Sequence, residues 1–292
     1  MRVIAGRRSN GERGPGGGRA RRLLACLGAL GAAAALVPLA TGSAGGTDRA
    51  RSVPAAGRGL AIEQLAAAPA GTAAGNGQSF GGVPAVGALF SESNGKLGSH
   101  FCTASVVDSP AGDLAVTAAH CVYGKTGTMV FVPAYADGKA PYGVWPVTTV
   151  YTDSAWDASQ DPDHDVAFLR LSDAADGAPV EDVTGAETLG ADAPAGQAVQ
   201  VIGYPDGAAE PVWCSGPAKG FSATQFEFDC GGYTNGTSGG PFLTGVDPAT
   251  GQGTVIGVIG GYQQGGDTPQ VSYAAVFGTA VSQLYATAQA GG

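Results

Sequence analysis

Leu114-Ala115-Val116-Thr117-Ala118-Ala119-His120-Cys121 is a short apolar run that ends on a histidine and a cysteine. Small and β-branched residues over Leu114–Ala118 predict a buried strand, so the imidazole is delivered at a strand end. Cys121 adds a constraint, because a bond to Cys102 on an adjacent strand would fix the backbone that carries His120. A general base needs that fixity, since proton abstraction demands hydrogen-bond reach. The chain holds three histidines. His164 lies in an acidic stretch and reads as a loop residue. His100 precedes the strand containing Cys102 and reads as a surface residue at a strand entrance. His120 is the candidate base.

Outward from this run the texture is that of short strands. Alternating or apolar stretches cover Val83–Phe90, Phe101–Val107, Met129–Val132, Val144–Tyr151 and Val166–Leu171. A Gly/Pro/Asp-rich break spans Asp173–Gly196. Then come Ala198–Tyr204, Phe226–Cys230, Pro241–Leu243, Thr254–Ile259 and Val271–Phe277. Two strand clusters separated by a linker predict two small antiparallel barrels. At the tail, Val281, Leu284, Tyr285 and Ala288 fall on one helical face. The 50 glycines, 18 prolines and 13% charged residues among 292 suit strands joined by tight turns better than a helical protein.

Charge is unevenly spread. Seven arginines (Arg2, Arg7, Arg8, Arg13, Arg19, Arg21 and Arg22) crowd the first 22 residues, whereas from Ser79 onward the basic residues are Lys96, Lys125, Lys139, Arg170 and Lys219. The net charge of −9 is therefore carried by the later part, which repels phosphate backbones and argues against a nucleic-acid partner. The basic opening runs into the apolar stretch Leu23–Ala40 and exits through Thr41-Gly42-Ser43-Ala44, the three parts of a secretory signal peptide. A membrane anchor is disfavoured, because alanine and glycine leave the stretch weakly apolar and no basic flank follows at once. Leu24-Ala25-Cys26 stands at the front of the apolar stretch and not after it, which excludes lipidation there. Residues 1–44 are thus expected to be a signal peptide and 45–78 a spacer or pro-segment. Residues 79–292 are the folded domain: one barrel over about 80–185, another over about 190–277 and a helix over about 278–289. An extracellular location follows, with no stable membrane association once the leader is removed.

Cys26 leaves with the leader, and Cys102, Cys121, Cys214 and Cys230 remain. An even number in an exported chain argues for two disulfides. Three pairings are possible; neighbour pairing closes one loop within each strand cluster and is expected here. A structural metal would need ligands at short spacing such as Cys-x-x-Cys, and none is present. No metal and no cofactor is expected, although an ion among Asp157, Asp161 and Asp163 is conceivable.

Ser238 stands in Asn235-Gly236-Thr237-Ser238-Gly239-Gly240-Pro241. Serine is a poor nucleophile until a base takes its proton and donors stabilise the oxyanion. The flanking glycines allow backbone angles other residues resist and leave N–H groups bare. Asp165 opens the β-type run Asp165–Leu171 and can be held at a strand mouth, where it would fix the tautomer of His120. Asp161 and Asp163 lie in the Pro-containing loop upstream and are less rigidly set.

TAAHC (117–121), DVAFLRL (165–171) and GTSGGP (236–241), in that order, resemble the chymotrypsin/trypsin-like serine peptidases, more closely their bacterial secreted branch. The resemblance spans roughly Phe80–Ala288. HFCTASVV (100–107) also resembles the family's cysteine strand, which supports pairing Cys102 with Cys121. The resemblance implies an all-β fold of two six-stranded antiparallel β-barrels with a short C-terminal helix. His120, Asp165 and Ser238 would form a catalytic triad between the barrels, with the N–H groups of Gly236 and Ser238 as the oxyanion hole. It implies a monomer that takes protein or peptide substrates.

Two departures bear on mechanism and specificity. The residue before the family serine is usually Asp, which receives a new N-terminus on activation. Here it is Thr237, so activation is expected by another route, such as removal of the pro-segment. Gly232 stands where relatives that cut after Lys or Arg carry Asp, and Ile259 where glutamate-specific relatives carry His. Tyr233 and Tyr262 would narrow the pocket around a neutral residue of small or medium size. Gly260, Gly261 and Tyr262 would pair with the substrate backbone as an added strand. The competing readings are a secreted binding protein that retains the fold without turnover and a secreted esterase using the same triad.

Overall fold

The alternation between Val83 and Leu171 becomes six antiparallel strands that close on themselves. The structure is a computed structural model and describes residues 75–173 and 177–291. The expected signal peptide, and the spacer up to residue 74, lie outside the described residues. Residues 75–78, assigned to the end of that spacer, are already structured. β1 (Gly75–Asn76) and β2 (Gln78–Ser79) pair with strands of the second half of the chain.

The first half comprises β3 (Val86–Ser93), β4 (Lys96–Val107), β5 (Leu114–Thr117), β6 (Thr128–Pro133), β7 (Trp145–Thr152) and β8 (Ala167–Leu171). Their order, β3-β4-β5-β8-β7-β6, is a closed barrel. Closure leaves no unpaired strand edge. Leu89, Leu114, Phe131, Phe168 and Leu169 are buried below 2% exposure. Burying one such side chain stabilises the fold by about 1.5–3 kcal/mol. Gly87 is required by this packing, because a Cβ there would lie 2.3 Å from the Val132 carbonyl oxygen.

The break at 173–196 is less bare than its composition implies. Val180–Thr184 is a helical turn, and β9 (Thr188–Leu189) pairs in parallel with a later strand. The second half continues with β10 (Ala198–Gly203), β11 (Val212–Pro217), β12 (Lys219–Gly220), β13 (Gln225–Gly231), β14 (Pro241–Thr244), β15 (Thr254–Val258) and β16 (Val271–Ala275). Five of its strands and the N-terminal β2 form one sheet, β2-β11-β10-β14-β15-β9. A second sheet of four is built around β13, with β1, β12 and β16 as its partners. The second half therefore does not close through one continuous ladder. Its sheets meet instead at a disulfide between β11 and β13, Cys214–Cys230, and at backbone bonds such as Gly260 N–H to the Tyr273 carbonyl, 2.9 Å.

The tail is helical over Thr279–Ala290, burying Val281, Leu284 and Ala288 as the spacing predicts. Arg170 on β8 ties it down, donating at 2.5 Å both to Asp113 and to the Ala288 carbonyl in the last helical turn. A cation there meets the partial negative charge of the helix end.

Candidate active site

β5 ends at Thr117, and the chain turns at once into the helical segment Ala119–Val122 that carries His120. Cys121 is disulfide-bonded to Cys102 on β4, as neighbour pairing requires. His120 is thus anchored on both sides, with its side chain 13% exposed. Asp165 sits just before β8. The turn Pro162–His164 delivers it, and the Val166 N–H bonds back to the His164 carbonyl at 2.8 Å, with Asp165 at φ −77 and ψ 59. Those values describe an inverse γ-turn, a frequent device at strand starts.

The Asp165 carboxylate is wholly buried and accepts three donors: His120 N–H at 2.8 Å, His120 Nδ1 at 2.7 Å and Gly261 N–H at 2.9 Å. A buried charge needs such partners to persist. Accepting from Nδ1 fixes the tautomer that leaves Nε2 free to take a proton. Asp161 and Asp163 do not take part. Asp161 accepts from the Asp163 N–H at 3.1 Å, Asp163 from Gln225 Nε2 at 2.7 Å, and Asp157 from Thr152 Oγ1 at 2.9 Å. Among the described residues, the cluster with metal-compatible spacing is Cys102, His120 and Cys121. Its two sulfurs are joined to each other and are not thiolate ligands.

Ser238 lies in the connection from β13 to β14, between the two sheets of the second half. It lines one cavity of about 460 Å³ together with His120 and Gly236. Gly236 has φ 92, and a Cβ there would lie 2.6 Å from both the Asp206 nitrogen and the Tyr204 oxygen, so the turn requires glycine. Thr237, Gly239 and Gly240 each donate their N–H to a backbone carbonyl. Among the described residues the N–H groups of Gly236 and Ser238 have no acceptor. Two uncommitted donors beside a hydroxyl can receive developing negative charge.

One residue that sequence reading passed over holds this turn in place. Thr103 on β4 is fully buried; its N–H donates to the Ser238 carbonyl at 2.8 Å and its hydroxyl to the Gly236 carbonyl at 3.0 Å. The same hydroxyl accepts from the Tyr204 N–H at 2.9 Å, and Thr117 Oγ1 donates to the Thr103 carbonyl at 2.7 Å. The seam between the halves is therefore built from two threonines of the motifs that flank Cys102 and His120. No local pattern in HFCTASVV marks it, because Gly236, Ser238 and Tyr204 all lie more than 100 positions further along the chain.

The pocket residues are distributed differently from expectation. Tyr233 and Ile259 line a second cavity of about 420 Å³ beside Ser238, with Ser272, Asp206 and Asp267. Gly232 is not on that lining; a Cβ there would face Gly77, between the two N-terminal strands, at 3.6 Å. Tyr262 is not on it either. Its ring packs on Phe221 and Tyr273, with centroids 4.9 and 5.1 Å away. Gly260 packs against Asp165, whose Oδ2 a Cβ would meet at 3.0 Å. After Gly261, at φ 75, the chain leaves the extended form for the turn Tyr262–Gly265. His100 is not at the surface. It is 6% exposed, ringed by Phe90, Tyr135 and Tyr204, because β4 begins at Lys96 and draws it inside. His164 faces Asp153, 3.0 Å from Nδ1 to Oδ1, in the loop where it was expected.

The family model for the trypsin-like peptidase domain matches residues 98–258, more than half of the chain, and the chain belongs to that family. It is similar to the solved structure of protease Anisep from Arthrobacter nicotinovorans, at 26% identity and a TM-score of 0.62, over 73% of this chain and 99% of that one. It is also similar to the thermostable serine protease AL20 from an extremophilic microorganism, at 28% identity and a TM-score of 0.61, over 72% and 98%. A Glu endopeptidase in complex with MPD shares the fold, at 17% identity and a TM-score of 0.58, over 74% and 97%. No curated protein matches the chain.

Proposed function

We propose that the chain is a secreted serine endopeptidase in which Ser238, His120 and Asp165 form the catalytic triad. The observation that carries this reading is the buried Asp165–His120 pair, 2.7 Å apart, opening onto the same cavity as Ser238. In this reading His120 Nε2 takes the proton of Ser238 as Oγ attacks the peptide carbonyl. The N–H groups of Gly236 and Ser238 receive the oxyanion. His120 returns the proton to the leaving amine, and water then resolves the acyl-enzyme by the same route. The second half serves as the family's second barrel, its two sheets stapled by Cys214–Cys230. Both disulfides suit the oxidising exterior expected from the leader, and the folded domain acts as a monomer on protein or peptide substrates.

Specificity is proposed for a neutral side chain of small or medium size. The cavity beside Ser238 is walled by Tyr233 and Ile259, with carboxylates only on the exposed Asp206 and Asp267. Activation by a free amine at Phe80 is disfavoured. Thr237 bonds its hydroxyl to the Thr234 carbonyl at 2.8 Å, and Phe80 is buried with its N–H on the Pro211 carbonyl at 3.1 Å.

The test is fluorophosphonate labelling of the exported protein, with parallel peptide and ester substrates. Labelling blocked by Ser238→Ala, with peptide turnover lost alongside it, is expected. Turnover that survives Ser238→Ala overturns the reading, and hydrolysis confined to esters replaces it with an esterase.

A further inference from the structure

Asp165 draws its third hydrogen bond from Gly261, in the other half of the molecule, so its setting depends on the register between the halves. One buried side chain spans that gap. Gln225, at the start of β13, is 4% exposed. Its Nε2 donates to Asp163 Oδ1 at 2.7 Å and to the Pro162 carbonyl at 3.1 Å, both in the turn that delivers Asp165. Its Oε1 accepts the Tyr262 N–H at 3.2 Å, one peptide after the Gly261 N–H that holds the carboxylate. A primary amide presents two donors and an acceptor within a rigid plane, and here all three functions are engaged. The fit leaves no slack on the far side, since a Cβ on Gly261 would lie 2.3 Å from Gln225 Oε1.

We propose that Gln225 is a positioning residue for the triad: its amide locks the turn bearing Asp165 to the Gly261 N–H that receives the carboxylate, and so sets the orientation of His120. The inference rests on the triad reading above. Neither Glu nor Met reproduces the arrangement. Ionised Glu cannot donate and would set its charge against Asp163, and Met can neither donate to Asp163 nor accept from Tyr262 as an amide does. A misplacement of about 1 Å at a catalytic group costs on the order of 100-fold in rate.

The experiment measures kcat and KM of the folded domain for one peptide substrate, together with thermal unfolding. Gln225→Met and Gln225→Glu are expected to lower kcat by about 10- to 100-fold while KM moves by less than about threefold. In an Asp165→Asn background, where the oriented carboxylate is already lost, adding Gln225→Met is expected to change residual turnover by less than about twofold. A buried glutamine that served packing alone would lower the unfolding temperature and leave the losses multiplicative. The proposal is overturned if kcat of a folded Gln225→Met stays within about twofold of the parent, or if its full loss persists beside Asp165→Asn. Should Gln225→Met not fold, Asp163→Ala removes the acceptor from the half-exposed end, and the same kcat loss and the same non-additivity decide the matter. Ser238→Ala is run in parallel. Activity surviving there condemns the triad, whereas a dead Ser238→Ala beside an unaffected Gln225→Met condemns the clamp alone.

Discussion

The two halves of the molecule solve the same packing problem in different ways. In the first, every strand has two ladder neighbours and the barrel closes by backbone hydrogen bonds alone. In the second, the ladder breaks into two sheets, held at one seam by Cys214–Cys230 and at the other by single bonds such as Phe277 N–H to the Ile256 carbonyl, 3.3 Å. The groups proposed for catalysis are divided along the same line. The closed half holds the imidazole and the carboxylate, whose mutual geometry admits little error. The half with broken ladders holds the hydroxyl in a glycine-bounded turn between its sheets, and most of the walls of the cavity that would receive a side chain. A closed ladder gives fixity. A seam between sheets gives room for a turn that presents its N–H groups outward.

The sharpest way to break this division is to spoil the fixed pair while leaving its shape. Asp165→Asn keeps the volume but presents an amide where three N–H donors converge. A fall in kcat of about 10⁴-fold is expected with folding intact, because the imidazole loses its tautomer and its partner for the cation. A loss below tenfold in steady-state kinetics would show that the carboxylate does not orient His120. The next largest effect compares the disulfides. They close loops of similar span, 19 and 16 residues in sequence separation, so chain entropy credits each with about 3 kcal/mol. Cys214→Ser with Cys230→Ser is expected to lose more than Cys102→Ser with Cys121→Ser, since only the second half needs a staple between sheets. Urea unfolding gives the two losses. Equal values would mean that the second half is as self-sufficient as the barrel.

The same contrast governs what could be read in advance. All six barrel strands were visible as alternating or apolar runs, because Val, Ala, Leu and Phe recur there at the period of a pleat. β11, Val-Trp-Cys-Ser-Gly-Pro, was not, since Val212 and Trp213 are its only strong strand formers and Gly216 and Pro217 are poor ones. β1 and the first residue of β2, Gln78, were read as spacer, because Gly and Gln carry no strand signal and pair only against an existing edge. Within the proposed site, His120, Asp165 and Ser238 stand out in the sequence because each lies in a run whose neighbours have an obvious task. Thr103 and Gln225 were illegible. Their roles consist of bonds to residues more than 30 positions away, which no local pattern encodes.

Thr103 lets the seam between the halves be weakened without touching a charged group. Thr103→Val keeps the buried shape and removes the hydroxyl, which leaves the Tyr204 N–H and the Gly236 carbonyl without that partner. A stability loss of about 1–3 kcal/mol is expected in denaturant unfolding. The Ser238 turn should loosen with it, so kcat falls while the Thr103 N–H to the Ser238 carbonyl persists. Unchanged stability would show that water replaces the hydroxyl at the seam.

The last effect, spread over several pH units, concerns Glu187, where the break between the halves crosses the first barrel. Its side chain is buried, its backbone bonds to Val106 and Asp108, and Oε2 accepts the Gly253 N–H at 2.5 Å while Oε1 has no protein partner. Burial disfavours the charged form and pushes this carboxyl up to about 8, against which the Gly253 N–H acts only partly. The folded state therefore holds a proton that the unfolded chain releases near the ordinary carboxylate range. The stabilisation is complete below that range and is lost as pH rises toward about 8. Between those limits stability is expected to fall by up to about 1.4 kcal/mol per pH unit from this group. Glu187→Gln keeps an acceptor for the Gly253 N–H and cannot ionise, so the slope should flatten and the variant should be the more stable of the two above neutral pH. Urea unfolding of both proteins from pH 5 to 8 checks this. Parallel stability curves would mean that Glu187 is ionised in the folded protein and that the junction between the halves carries its charge in some other way.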